Sequence, residues 1–243
     1  MTDRVLAAIQ YYGRRFLAGP LFGFRVSGDE RVPRRGGLII ACNHISELDP
    51  PILGFAVPRN VIFMAKVELF GSRLSRFLMR ELRAFPVNRS GVDTTAVRTT
   101  LEYLRRGLAV VVYPEGTRSR DGLLLPVKAG IGLIVSASDA PVLPAFIWGT
   151  DRPARALVRR PRFSVHFGQL LTRERLREMK SEGGARGVAE GIMASIAEIG
   201  IRAGIYRPAG LRAGESEKAS MEAGTDRSTH TGSGEGPEGR ETQ

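Results

Sequence analysis

The sequence predicts an α/β domain: a single domain with a central mixed, largely parallel sheet flanked by helices. Three observations predict it. Between Val26 and Pro208, short runs rich in β-branched and aromatic residues alternate with stretches of helical period. The chain has 243 residues, 42% of them hydrophobic, enough for a core without a covalent staple. No apolar run reaches the ~18 residues of a membrane-spanning helix. The expected organisation is an N-terminal amphipathic segment over 1–24, the domain over 25–207 and a polar tail over 208–243.

The elements follow in order. Val5, Ile9, Tyr12 and Phe16 fall on one helical face, with Arg4, Arg14 and Arg15 beside it. That pattern suits a helix lying in a bilayer interface, and equally one packing on the domain core. Gly19-Pro20 ends it. The N-terminus lacks the order of a secretory signal, so a cytoplasmic location is expected. Strands are expected at Leu38–Cys42, Val61–Ala65, Ala84–Val87, Leu108–Tyr113, Val142–Ile147 and Phe163–Phe167. Within 67–83, Phe70, Leu74, Phe77 and Leu82 mark one helical face. Ser90 with Asp93 resembles a capping box, opening a helix that Gly107 closes. A last helix is expected over 185–203, weakened by Gly187 and Gly191. Gly130-Ile131-Gly132 lacks the third glycine and the preceding strand of a dinucleotide fingerprint, and reads instead as close helix packing. From about Arg207 the chain is rich in Gly, Ser, Thr and Glu, too poor in apolar residues to order itself.

Charge is uneven. Lys and Arg number 36 against 25 Asp and Glu, a net of +11. From Arg212 onward there are 4 basic and 7 acidic residues, so the preceding residues carry +14. A basic body attracts nucleic acid, anionic lipid, phosphorylated substrates or an acidic carrier protein. With 7% aromatics and no recognisable motif, nucleic acid is not the expected partner. The run Arg152, Arg155, Arg159, Arg160 and Arg162 suits either docking to an acidic surface or a solvated face. Cys42 is the only cysteine, so no internal disulfide or Cys-cluster metal site is expected; with three histidines in all, no metal site is expected.

The chemistry concentrates at strand ends, where open α/β sheets place reactive groups. After Leu38–Cys42 come Asn43-His44 and then Asp49-Pro50-Pro51. On a continuous helix, five residues turn through about 500° and the two side chains would not meet. The proline pair instead puts His44 in a turn and Asp49 at a helix start, so the carboxylate reaches back. Such a pair makes a general base with no serine or cysteine nucleophile beside it. A satisfied loop histidine with Asp49 as an ordinary cap is the plainer alternative. After Leu108–Tyr113 comes Pro114-Glu115-Gly116-Thr117-Arg118. Gly116 permits close backbone approach, Arg118 offers a fork for phosphate, and Glu115 holds the loop or orients a hydroxyl. Arg89 at a helix start and Lys66 after a strand are further anion candidates. Together they describe a site that holds a phosphate and removes a proton from a nearby hydroxyl.

Four blocks occur in order: Asn43-His44-x4-Asp49, Phe85-Pro86-Val87-Asn88-Arg89, Pro114-Glu115-Gly116-Thr117-Arg118 and Val142-Leu143-Pro144-Ala145-Phe146-Ile147. Over roughly 25–170 they resemble the glycerolipid acyltransferase family, specifically its bacterial 1-acyl-sn-glycerol-3-phosphate O-acyltransferases. The resemblance implies that His44 takes the proton of the free sn-2 hydroxyl as it attacks an acyl thioester, giving phosphatidic acid, and that Asp49 orients His44. It implies that Lys66, Arg89 and Arg118 hold the glycerol phosphate, that Glu115 and Gly116 shape the same loop, and that Thr117 belongs with them to the substrate-binding group. It implies acyl-CoA or acyl carrier protein as co-substrate, no further cofactor, and a peripheral seat on the anionic inner face of the cell membrane. At Leu170 the family's usual proline after the strand-end glycine is replaced, which touches loop shape rather than chemistry.

Other acceptors fit the same residues: glycerol-3-phosphate, another lysophospholipid or a lyso-ornithine lipid. A serine hydrolase lacks its Gly-x-Ser-x-Gly elbow here. A metal-dependent hydrolase is poorly supplied, with His44 and His166 the only histidines in the body.

Overall fold

In a computed structural model of the chain, residues 23–88, 93–151 and 163–208 are described. The helix expected over 5–17, Arg89, Ser90, the Arg152–Arg162 run and the tail from 209 lie outside the described residues.

Seven strands form one sheet: β1 (Phe24–Ser27), β2 (Leu38–Cys42), β3 (Val61–Lys66), β4 (Ala84–Val87), β5 (Ala109–Val112), β6 (Val142–Trp148) and β7 (Phe163–Phe167). Their spatial order is β1-β7-β6-β2-β5-β3-β4, and only β6 and β7 pair antiparallel. The α-helices are α1 (Asp49–Ala56), α2 (Arg73–Glu81), α3 (Thr94–Arg105), α4 (Ala129–Ala137) and α5 (Arg173–Arg202). This is the mixed, mostly parallel α/β architecture that the alternating pattern predicts.

The central strands are apolar along their whole length because both faces are covered. On one face Leu38, Ile40 and Cys42 of β2 pack with Ile52, Leu53 and Ala56 of α1. On the other, Ile39 and Ala41 share a core with residues of α3, α4 and α5. Alternate residues along each strand thus serve opposite layers. Since β6, β2, β5, β3 and β4 run parallel, the loops that follow them leave from one rim of the sheet.

Several expectations need correction. The segment 67–83 is not one helix: a 3-10 turn over Val67–Phe70 precedes α2, and Ser72 starts the helix anew. Ser72 Oγ accepts from Ser75 N–H at 3.1 Å while Ser75 Oγ accepts from Ser72 N–H at 3.2 Å. The next helix opens at Thr94, with Asp93 rather than Ser90 as its cap; Asp93 accepts from Ala96 N–H at 2.9 Å. Gly107, at φ 76°, does follow its end. The final helix begins at Arg173, not 185, and bends at Gly184, whose φ of 60° is non-helical. β1 was not among the expected strands; its four residues make too short a run to stand out. Gly132 belongs to α4 and faces the backbone of Ala185, so a side chain there would strike the Ala185 carbonyl.

Candidate active site

β2 is fully buried and delivers Asn43 and His44 to the rim. Asn43 anchors the exit. Its Nδ2 donates to Ile147 O at 3.0 Å and its Oδ1 accepts from Ile147 N–H at 2.7 Å, tying the loop to β6. The chain then turns, and Asp49, which is wholly buried, opens α1 with Pro50 and Pro51 behind it. Proline suits that first turn because its missing N–H has no helical partner to lose.

Asp49 Oδ2 lies 2.7 Å from His44 Nδ1 and accepts from the backbone N–H of Ile45 at 2.7 Å and Ser46 at 2.8 Å. Its Oδ1 accepts from the Thr150 hydroxyl. An ionised carboxylate only accepts, so Nδ1 carries the imidazole proton and Nε2 is left with its lone pair. His44 is 6% exposed and stacks on Tyr113, with ring centroids 4.1 Å apart and planes 16° from parallel.

The loop after β5 closes over this turn. Glu115 is 1% exposed; Oε1 accepts from His44 N–H at 2.9 Å and Oε2 from Leu125 N–H at 3.0 Å. Burial pushes its carboxyl up to about 7, although the Leu125 and His44 N–H groups pull the other way; the Asp49 charge adds to the rise. Glu115 therefore braces the backbone on either side of the site rather than presenting its oxygens at the surface. Ser119 N–H donates to His44 O at 2.8 Å. Arg118, half exposed, donates to Glu47 Oε1 at 2.7 Å, so its guanidinium sits against the His44–Asp49 turn. Gly116 holds a φ of 66°, with the Lys128 side chain packed where a Cβ would point. Thr117 is exposed.

Lys66 ends β3 on the same rim, exposed and 3.2 Å from Glu68. The sequence placed Arg89 in the same group, but it lies outside the described residues. Cys42, one residue before Asn43, is buried, and its thiol is pushed well above its usual range, first by burial and then by Asp49 and Glu115. It is therefore a poor nucleophile.

A cavity of about 480 Å³ opens between the strand ends and helices α3 and α4. Met64, Val97, Val112, Ile131 and Ile134 make it largely apolar, and Lys128 and Gly116 contribute to its wall. Tyr113 lines it as well, so the imidazole's stacking partner is shared with the cavity. Among the described residues, no three His, Cys, Asp or Glu side chains gather as a metal-binding group.

Sequence reasoning missed Thr150, Tyr113, Ser119 and Lys128. Thr150 and Tyr113 each follow a strand on the rim that carries His44, which is a findable signal. The role of Ser119 is carried by its backbone and leaves no side-chain trace.

Comparison with known proteins agrees with this geometry. A family profile described as Acyltransferase matches residues 23–148. The 1-acyl-sn-glycerol-3-phosphate acyltransferase of Bacillus subtilis is 29% identical over 166 residues, 65% of this chain and 82% of that protein. The protein of the same name from Streptococcus pneumoniae is 27% identical over 157 residues, 63% of this chain and 58% of its own. The crystal structure of the 1-acyl-sn-glycerophosphate (LPA) acyltransferase PlsC from Thermotoga maritima superposes with a TM-score of 0.58 at 30% identity, covering 78% of this chain and 83% of that one. The buried His–Asp pair, the loop clamped over it and these matches lead to one conclusion: the chain belongs to the Acyltransferase family.

Proposed function

We propose that this chain transfers an acyl group from an acyl thioester to the sn-2 hydroxyl of 1-acyl-sn-glycerol 3-phosphate, yielding phosphatidate. The observation that carries this reading is His44 held through Nδ1 by a buried carboxylate, with the Arg118 loop bonded to the same turn. The names of the relatives from Bacillus and Streptococcus support the acceptor.

His44 Nε2 removes the acceptor's hydroxyl proton as that oxygen attacks the thioester carbonyl. The carbon–sulfur bond breaks, and the departing thiolate takes the proton from the imidazolium. A thioester is already activated, so no acyl-enzyme is needed, in keeping with the inert setting of Cys42. General-base help of this kind contributes about 10²- to 10⁴-fold, and orientation of the two substrates adds to it. Arg118, Lys66, Arg89 and Thr117 bind the acceptor phosphate, with Gly116 letting the loop come close. Glu115 positions His44 rather than touching substrate. The apolar cavity beside Tyr113 takes an acyl chain.

The donor is acyl-CoA or acyl carrier protein, and the enzyme works from the inner face of the cell membrane as a peripheral protein. In the described residues no helix is long and apolar enough to cross a membrane. The test is product analysis of purified protein given lysophosphatidate with each donor, and a panel of other acceptors beside it. Phosphatidate as the main product supports the reading; preferential acylation of glycerol-3-phosphate or an aminolipid replaces the acceptor.

A further inference from the structure

The 3-10 turn after β3 and helix α2 expose more apolar surface than their packing explains. Leu74 is 70% exposed and Phe77 58%; Val67, Leu69 and Leu78 are each about half exposed. Leu74, Phe77 and Leu78 stand at i, i+3 and i+4, so they share one side of the helix. Ser75 and Met79 are the half-buried positions, and they turn toward the body. Arg73, Arg76 and Arg80 form a third stripe, all exposed. The helix thus has a body side, an apolar ridge that ends at exposed Glu81, and a cationic flank. Its reciprocal serine cap holds the start of this short helix.

We infer that this ridge docks on the surface of a lipid bilayer carrying anionic headgroups. This rests on the proposed lipid acceptor for the reason of its being there, but not for the observation itself. Three features select the occupant. Arginines beside an apolar stripe match a surface whose interior is hydrocarbon and whose headgroups are negative. A second copy meeting the ridge antiparallel about a twofold axis would set Arg73, Arg76 and Arg80 on the same side as their own copies, which repel. The position is also right: the turn begins directly after Lys66, at the end of β3. β3 neighbours β5, which neighbours β2, so the turn that begins the ridge lies on the rim that carries His44 and Arg118, and α2 runs from there back toward the start of β4. A lysolipid leaving a bilayer there meets the cationic rim first and the imidazole next.

The test uses the full-length protein. Co-sedimentation is measured with vesicles of phosphatidylcholine alone and with vesicles containing about a third phosphatidylglycerol. Leu74→Ser with Phe77→Ser should weaken binding to the anionic vesicles about tenfold or more, since two large apolar side chains no longer leave water on docking. Arg73→Glu with Arg80→Glu should abolish the preference for anionic over neutral vesicles. Both variants should keep the wild-type rate on a short-chain lysophosphatidate dissolved as monomer, while losing rate on acceptor embedded in vesicles. Unchanged vesicle binding by both variants overturns the inference.

A spectroscopic arm guards against misfolding. Phe77→Trp in a Trp148→Phe background gives one indole on the ridge. Its emission should be that of an exposed indole alone and shift to the blue with anionic vesicles. Emission already blue and unmoved by vesicles means that another segment of the chain or a second copy covers the ridge, which overturns the inference. A protein that binds vesicles in this way but acylates no lysophosphatidate refutes the proposed reaction and leaves the docking surface standing.

Discussion

The hydroxyl of Thr150 donates to Oδ1 of Asp49, leaving Oδ2 to His44 and two backbone N–H groups. The end of β6 thereby holds a residue at the start of α1 that is 101 positions away in the chain. Thr150→Val keeps the shape and strands a buried carboxylate oxygen. It should cost about 1–3 kcal/mol in urea unfolding. It should also lower kcat more than it raises KM, because the imidazole loses its fixed orientation. Thr150→Ser should restore both, and a wild-type kcat in the valine variant would make Thr150 a packing residue only.

His44→Ala should reduce turnover by about 10²- to 10⁴-fold with little change in acceptor KM. Asp49→Asn should also be strongly impaired, since an amide cannot accept from every donor that the carboxylate serves. Steady-state kinetics on lysophosphatidate checks both, and a rate unaffected by His44→Ala would remove the general base from the mechanism.

Arg118 and Glu47 form a surface ion pair, the kind worth about 0–1 kcal/mol, so Arg118→Ala should leave the unfolding midpoint nearly unchanged. Its effect should fall on the acceptor. KM for lysophosphatidate should rise, while any residual acylation of an unphosphorylated monoacylglycerol should not suffer. Equal losses on both acceptors would separate Arg118 from the phosphate.

Glu115 should give stability a distinctive pH dependence. Its carboxyl sits at about 7 in the folded protein against an ordinary 4.5, so the native state holds a proton that the unfolded chain has released. Stability then declines as pH rises from 4.5 through 7, and levels off above. Glu115→Gln should flatten that slope. Urea unfolding at acidic and alkaline pH measures it, and equal slopes in the two proteins would deny Glu115 a role in it.

Two glycines of one helix should respond oppositely. Gly132→Ala would push a methyl group into the Ala185 backbone and should destabilise by about 1–3 kcal/mol. A Cβ at Gly130 meets open space, so Gly130→Ala should be neutral or stabilise by up to about 1 kcal/mol. Thermal unfolding of the pair checks whether α4 and α5 touch where the structure places them.

What the sequence made legible follows from which forces act locally. β2 and β4 were readable to the residue because their side chains are continuously apolar and bounded by polar turns, and β7 because Phe163, Val165 and Phe167 alternate with polar residues. Asp49 at a helix start was readable because two prolines follow it. α5 was only half readable: its first turns are mostly charged, and Leu176 alone is buried before the bend at Gly184. Periodicity in α2 revealed a face but not what the face meets, and Leu74 and Phe77 stay largely exposed. The His44–Asp49 contact was legible because it spans five residues. The Thr150 and Tyr113 contacts were not, because only the sheet order brings β6 and β5 to either side of β2.

The ridge on α2 also changes what concentration means for this protein. Once Leu74 and Phe77 lie in a lipid film, encounters occur in two dimensions, and the governing variable is acceptor per unit of film area. Adding inert lipid at a fixed total amount of acceptor should then slow turnover, even though nothing in the bulk solution has changed.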